Sequence, residues 1–387
     1  MMDYNFDDIR PYTDRETPLA VETLLKDQEF QMLRSKLMPD VDNEAFAKIC
    51  RTCNQARDAF KAVIGYEVGT RILTTSTFTY DASGRSRLGE DKAFTYISNH
   101  RDIIVDPLFL NVSLKNINYR MAQIAIGDNL IKRQWIGILV KLFGSFLVKR
   151  TPSLREKIDE STKLSAYIHH VISDLNESVW IAQRQGRAKD SDDRTQSALI
   201  KMLTMGAEGP LLDRLKSLDI VPTTFSYEYD PCDFLKAREM QAKRDNPSYK
   251  KSPQEDLINM ATGVQGSKGR VHLTFGTPLN KMLNEVDTSL SNKLQIESVC
   301  KLIDREIHSH YRLYPGNYIA ADMLEGSDRF SKEYGLADRM RFEDYLNSQL
   351  QKIVFEDSSI QKDEPFLKKC ILTMYANPLY NKLDATK

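Results

Sequence analysis

Two textures of hydrophobic and polar positions run along the chain. From Thr17 to Met38, and again from Asp42 to Val68, apolar residues return at three- and four-residue steps, the spacing of one helical face. Asp42 stands where an N-cap belongs, because its carboxylate can accept the first free amides of the helix that follows. A polar run from Tyr80 to Lys92 then reads as a loop or module boundary. From Ala93 onward short apolar runs alternate with longer amphipathic ones. The segments "AFTYIS", "SFLVKR", "VWIAQR", "IVPTTFSYEY" and "RVHLTF" have the length and the β-branched or aromatic content of strands. Between the second and third, Leu154, Ile158, Leu164, Ile168 and Ile172 fall on or near one helical face. Such alternation predicts an α/β fold, a largely parallel mixed sheet flanked by helices. The polar connection "RDNPSYKKSPQED" precedes the last of these strands, and beyond about residue 280 helical spacing returns through "SNKLQIESVCKLIDREIHSHYRLY" and "RFEDYLNSQLQKIVF". The expected organisation is a helical N-terminal region over 1–90, an α/β domain over 91–280 and a mainly helical C-terminal region over 281–387.

Composition narrows the function rather than the fold. The 387 residues are 41% hydrophobic and 28% charged, the make-up of an ordinary globular protein. Fifty-four basic residues balance fifty-four acidic ones, so no overall field favours nucleic acid, and an anion site has to be built locally. Five cysteines, odd and sparse, point to a reducing compartment. Cys50 and Cys53 form a lone CxxC, which cannot complete a four-ligand zinc shell, and no metal is expected. The opening "MMDYNFDDIRPY" is acidic and lacks the apolar core of a secretory signal, and no run reaches membrane-spanning length. A cytoplasmic location follows, with peripheral contact at the inner membrane face left open.

In an α/β sheet, chemistry gathers where strands end and helices begin, because those loops share one rim. Four such ends stand out. In "NHRDIIVDP" a strand over Ala93 to Ser98 leaves His100 at its carboxyl end, with Asp102 and Asp106 behind it. Asp106-Pro107 is a helix-start signature, aspartate at the N-cap and proline in the first helical position. A capping carboxylate could also hold an imidazole, whose other nitrogen then accepts a proton; spacing alone leaves both the structural and the catalytic reading standing. The second end, "GSFLVKRTPSLREK", sets Lys149 and Arg150 beside a helix N-terminus, where cations and free amides suit a phosphate, or where the two are simply solvated surface charges. The third, "VWIAQRQGRAKDSDDRTQ", places Arg184, Gly186, Arg187 and Lys189 within six positions, with aspartates close behind that could pair them internally. The fourth carries Pro222, which a sheet tolerates at an edge or a strand start.

Other chemistries find no support. There is no GxSxG turn for an ordinary serine hydrolase nucleophile, and no Walker A or GxGxxG pattern for a nucleotide. His169 and His170 are neighbours on a helix, about 100° apart, and do not share a metal easily; His308 and His310 face the same difficulty.

Taken in order, the four ends resemble the glycerolipid acyltransferases, the glycerol-3-phosphate and 1-acyl-glycerol-3-phosphate O-acyltransferases. "NHRDIIVDP" answers their His, four residues, Asp block; "GSFLVKR", with Gly144, Phe146 and Arg150, answers their Gly-x-Phe-x-x-x-Arg; "QRQGRAK" answers their Glu-Gly block; "IVPTTFSYE" answers their apolar strand with proline. The likeness covers roughly 93 to 230, and the "NHRDI" and "YEYDPCD" segments are similar to a bacterial long form. Two departures are visible. Five residues rather than four separate His100 from Asp106, and Gln185 stands where the family has Glu.

The resemblance implies transfer of a fatty acyl group from acyl-CoA or acyl carrier protein to a glycerophosphate or lysophospholipid hydroxyl, with 1-acyl-sn-glycerol-3-phosphate preferred as acceptor and no cofactor beyond the donor. His100 would be the base and Asp106, preferred over Asp102 because the Asp-Pro helix start keeps it at the loop's end, its orienting carboxylate. Arg150, Arg184, Gly186, Arg187 and Lys189 would hold the phosphate, joined by Arg101 and Lys149. The competing readings are glycerol-3-phosphate acylation, a thioester or phosphoester hydrolase that activates water with His100, and a non-catalytic relative that binds lipid phosphate. The apolar stretch "WIGILVKLF" reads as a buried helix, or as an interfacial one with Trp135 and Lys141 at headgroup level.

Overall fold

The computed structural model describes residues 4–90, 92–150, 153–355 and 360–387. Among them one seven-stranded sheet organises the chain: β1 (Thr79–Ser83), β2 (Thr95–Ser98), β3 (Gln123–Gly127), β4 (Ser145–Val148), β5 (Val179–Ala182), β6 (Ile220–Tyr227) and β7 (Arg270–Phe275), in the order β1-β7-β6-β2-β5-β3-β4. The strands β6, β2, β5, β3 and β4 are mutually parallel, β7 runs antiparallel to β6, and β1 is parallel to β7. The fold is α/β, with helices on both faces. The connections through Val105–Asn116, Gln134–Leu142 and Leu154–Ser173 are the crossovers that successive parallel strands require.

Alternation along each strand divides the core in two. Ile97, Phe146, Val179, Ile181 and Ile220 face the helices Leu154–Ser173, Ser197–Leu203 and Asn292–Ser309. Tyr96, Trp180, Val221, Phe225 and Leu273 face the helix Val105–Asn116 and the end of Tyr66–Ser76. On the helix Leu154–Ser173, Leu164, Ile168 and Ile172 are buried while Ile158 is exposed; the Leu154 side chain and the Thr151-Pro152 step before it lie outside the described residues.

Two features depart from the sequence reading. The polar run after Tyr80 is no module boundary: it carries β1, so the sheet begins ahead of residue 91. β1 is an edge strand, exposed at most positions and paired with β7 alone, so no apolar alternation marks it. Pro222 also sits in an interior strand, between β2 and β7. It escapes penalty because it lies at the end of the β7 ladder, where its carbonyl accepts the Gly276 amide at 2.8 Å and its missing N–H removes only a terminal bond.

The flanking helices are tied in by polar contacts. The first helical stretch is two helices, Thr17–Lys26 and Gln28–Leu37, split at Asp27, whose carboxylate accepts the Phe30 amide at 2.9 Å; Asp42 caps Asn43–Cys53 through the Ala45 amide at 2.7 Å. Cys50 and Cys53 are buried in this helical core. The helix Gln134–Leu142 buries Ile138 and Leu142 against it, and Trp135 Nε1 donates to Glu29 at 3.0 Å. At the far edge of the sheet, the Leu147 amide on β4 donates to the Ile9 carbonyl at 2.9 Å, so the chain around Ile9 straps that strand. At the other end Asp233 accepts from Tyr345 at 2.7 Å, Tyr375 at 2.9 Å and Gln349 at 2.5 Å, joining the helix Asp233–Asp245 to the last two helices, Leu336–Gln351 and Glu364–Ala385.

Candidate active site

The corner after β2 is locked before the chain reaches His100. Asn99 is fully buried, its Nδ2 donates to the Phe225 carbonyl at 2.9 Å, and its Oδ1 accepts the Phe225 amide at 2.8 Å. That two-way clamp on β6 sets where the next residue stands. His100 Nδ1 lies 2.7 Å from Oδ2 of Asp106, whose side chain is fully buried. The same oxygen accepts the Arg101 and Asp102 amides at 2.6 and 3.0 Å, and Oδ1 accepts Tyr227 Oη at 2.7 Å. A carboxylate ringed by donors takes the imidazole as one more donor. Nδ1 therefore carries the proton, and Nε2 is the accepting nitrogen. Trp180 packs edge-on against the ring with centroids 5.5 Å apart, its Nε1 tied to Ser98 Oγ at 2.9 Å.

Asp102 takes up the extra residue of the loop. Its Oδ1 accepts the Ile104 and Val105 amides at 2.9 and 2.8 Å, a turn that starts the helix at Val105. The expected cap is thereby corrected: Ile104 occupies the N-cap position, and Asp106 and Pro107 lie inside the first turn. Displaced into the helix, Asp106 faces the corner, while Asp102 is spent on backbone. Burial, then the charge of Asp106, pushes the Asp102 carboxyl above its usual range. Gly263 packs its backbone directly on that carboxylate, and a Cβ there would collide with it.

Because β2, β3, β4, β5 and β6 are parallel, their carboxyl ends share a rim. Arg184 follows β5, the strand next to β2, and its buried Nε has no hydrogen-bond partner among the described residues. Arg187 donates Nη2 to Asn259 at 2.9 Å, while its buried Nη1 is likewise unpartnered. Orphaned guanidinium N–H groups are costly without an acceptor, so water or an anion belongs beside them. Between the two, Gly186 holds φ +72 with nothing within 4 Å of where a Cβ would sit, an open left-handed turn. Arg150 follows β4, is exposed, and lies over the end of β3, its Nε 3.5 Å from where a Cβ on Gly127 would be. Three strand steps separate β4 from β2, roughly 14 Å at about 4.8 Å each.

The other expected phosphate ligands are engaged elsewhere. Arg101 is buried in an ion pair with Asp193, at 3.1 Å from Nη1 to Oδ1 and 2.6 Å from Nη2 to Oδ2. Lys149 pairs with Asp8 and stands 3.6 Å from Glu160. Lys189 lies 2.7 Å from Glu239, and burial holds its amine below the usual range. These three charges are answered within the chain, by carboxylates that local spacing cannot show. Gln185, in the position where the family has Glu, is exposed, and its amide donates to Gln196 Oε1 at 2.9 Å.

Residues 80–192 match the family described as Acyltransferase. This segment is similar to an acyltransferase domain. Among solved structures the chain is similar to the 1-acyl-sn-glycerophosphate (LPA) acyltransferase PlsC from Thermotoga maritima, at 15% identity and a TM-score of 0.32, covering 75% of this chain and 93% of that one. No curated protein matches the sequence.

The matched segment contains His100, Asp106, Arg150, Arg184, Gly186 and Arg187. Residues that complete their surroundings were not singled out in the sequence. Asn99 and Trp180 sit inside the segment but look like ordinary strand-end and core residues. Tyr227, Asn259 and Gly263 lie beyond it, and their contacts with Asp106, Arg187 and Asp102 span 72 to 161 positions of chain, which no local pattern records. Among the described residues no helix is long and apolar enough to cross a membrane.

Proposed function

We propose that the protein moves a fatty acyl group from a thioester, acyl-CoA or acyl carrier protein, to the hydroxyl of a glycerophosphate, with 1-acyl-sn-glycerol-3-phosphate as the preferred acceptor and glycerol-3-phosphate as the runner-up. The observation that carries this reading is the 2.7 Å contact from His100 Nδ1 to the buried Asp106, on the rim that also holds unpartnered N–H groups of Arg184 and Arg187.

A hydroxyl is a poor nucleophile near neutral pH. His100 Nε2 takes its proton as the oxygen attacks the thioester carbon, Asp106 stabilises the imidazolium, and the thiolate leaves with the proton. Such a base contributes about 10²–10⁴-fold in rate. Arg184 and Arg187, with Arg150 across the rim, hold the phosphate and so aim the hydroxyl, an orientation effect that can exceed that of the base. No step requires a metal. Ile131, Ile136 and Val140, half-exposed beyond β3, offer apolar surface to an acyl chain or to a membrane face.

The test is an acceptor panel with purified protein and one labelled acyl thioester. Label is expected in the lysophosphatidate product, and His100→Ala should abolish it while sparing acceptor binding. Free acid released at the same rate with or without acceptor would replace the transferase by a hydrolase. Acceptor binding without turnover would make the protein a lipid-phosphate binder.

A further inference from the structure

A second histidine on the same sheet is wired as a base, on a different face and from different strands. β1 and β7 pair in parallel with Asp81 opposite His272 and Ser83 opposite Thr274. Strand period two puts Asp81 and Ser83 on one face, and the register brings His272 against both. His272 Nδ1 lies 2.8 Å from Asp81 Oδ1, and its Nε2 lies 2.8 Å from Ser83 Oγ. A carboxylate only accepts, so Nδ1 donates, leaving Nε2 to accept the serine proton. Arg312 Nη1 holds Asp81 from the other side, at 3.1 and 3.0 Å from its two oxygens. His272 pairs with Ser226 on β6, so this cluster lies on the sheet face opposite Tyr227, the residue that reaches Asp106. None of its residues takes part in the chemistry proposed for His100.

The serine is accessible and has a cleft in front of it. Ser83 and His272 line an open cleft of about 410 Å³, whose wall also carries Arg87, Arg312 and Lys382. Arg312 is paired with Asp81, whereas no carboxylate pairs with Arg87 or Lys382 among the described residues. β1 ends at Ser83 and turns at Gly84, where φ is +87 and a Cβ would collide with the Phe275 carbonyl and stand 2.6 Å from Arg87 Nη1. The nucleophile thus ends a strand at a tight glycine turn with a guanidinium beside it, without the GxSxG sequence that would have announced it. Burial lowers the His272 pKa, leaving the imidazole neutral and able to accept.

We infer that Ser83, His272 and Asp81 form a serine nucleophile centre that takes an acyl group from an ester or thioester carrying an anionic group. Ser83 Oγ bonds to the carbonyl carbon as its proton passes to His272 Nε2. The tetrahedral adduct then breaks its bond to the leaving oxygen or sulfur, which departs with that proton as alcohol or thiol. Water, deprotonated by the same nitrogen, releases the acid and restores the serine. Arg87 is the group placed to face the negative charge of the adduct or of the substrate.

Labelling with a fluorophosphonate probe, followed by peptide mapping, tests the centre directly. Adduct on Ser83 is expected in the wild-type protein and equally in His100→Ala protein, so this result does not depend on the acyl-transfer reading. Ser83→Ala should lose the adduct, and His272→Gln should slow labelling by about 10²-fold or more, with circular dichroism melts confirming that each variant is folded. Arg87→Ala should raise KM for the anionic ester 3-acetoxy-4-nitrobenzoate and leave that for neutral p-nitrophenyl acetate unchanged. No adduct on Ser83 in folded protein, or labelling unchanged in His272→Gln, overturns the inference; an equal KM change for both esters overturns the assignment of an anionic substrate.

Discussion

Tyr227 Oη and His100 Nδ1 approach opposite oxygens of one carboxylate, each at 2.7 Å from Asp106. Tyr227 ends β6 and His100 follows β2, so the imidazole is held by a carboxylate that a second strand orients. Tyr227→Phe removes one donor and leaves Oδ1 buried without it, a cost of about 1–3 kcal/mol. Transferase kcat should fall by roughly 10-fold in this variant, against about 10²–10⁴-fold in His100→Ala. Steady-state rates with a saturating thioester check the ranking; a Tyr227→Phe enzyme as impaired as His100→Ala would show that the hydroxyl meets substrate.

The cations divide into two classes by their partners. Arg184→Ala and Arg187→Ala should each raise KM for a phosphate-bearing acceptor about 10-fold, equivalent to about 1.4 kcal/mol. Lys149→Ala, whose charge is answered by Asp8, should leave that KM as it was. Acceptor titrations on the three variants decide, and an equal rise in all three would dissolve the distinction.

Gly263 is a contact residue for the loop that carries His100 and Asp102, although it lies far along the chain. Asp102 is short, buried and fixed by two backbone amides, so it cannot swing away from an added methyl group. Gly263→Ala should destabilise the fold by about 1–3 kcal/mol through overpacking and depress turnover by shifting the loop from Arg101 to Val105. Chemical denaturation and activity measured together would reveal it; a fully active, fully stable variant would mean the helix Pro253–Gln265 yields freely.

Burial, then the charge of Asp230, raises the Asp233 carboxyl to about 7 from the ordinary 3.8. The folded protein then keeps a proton that the unfolded chain has already released. Between about pH 4 and 7 this group makes stability fall as pH rises, because the native state binds more protons. Asp233→Asn does not titrate, so its melting temperature should decline less over that window than the wild type's. Parallel melts from pH 4 to 8 make the comparison, and identical slopes would refute it.

How much could be read in advance follows from where each signal lives. β2, β5, β6 and β7 are buried almost throughout and β4 over its first half, and all five carry their apolar residues in sequence, so they and the α/β class were legible. β3 was missed in a half-buried stretch, and β1 was hidden because an exposed edge strand has no need of an apolar face. The corner residue His100 was visible from its place after a strand. Asp106 was legible as its preferred partner over Asp102, but not why: it faces the corner because Asp102 winds the backbone one residue earlier than Asp-Pro suggests, and not because it caps the helix. Arg101, Lys149 and Lys189 looked equivalent to Arg184 and Arg187 for a similar reason. Asp193, Asp8 and Glu239, which neutralise them, are 92, 141 and 50 positions away.

The short stretch around Ile9 has a role out of proportion to its length. By giving its carbonyl to Leu147, and its Asp8 carboxylate to Lys149 and Lys163, it occupies the outer flank of β4. An uncovered flank would present a row of vacant amides and carbonyls to any passing chain, the usual starting point for edge-to-edge aggregation. Clipping those few residues would therefore be felt first as self-association at rising concentration, before any loss of the helices or of the His100 corner.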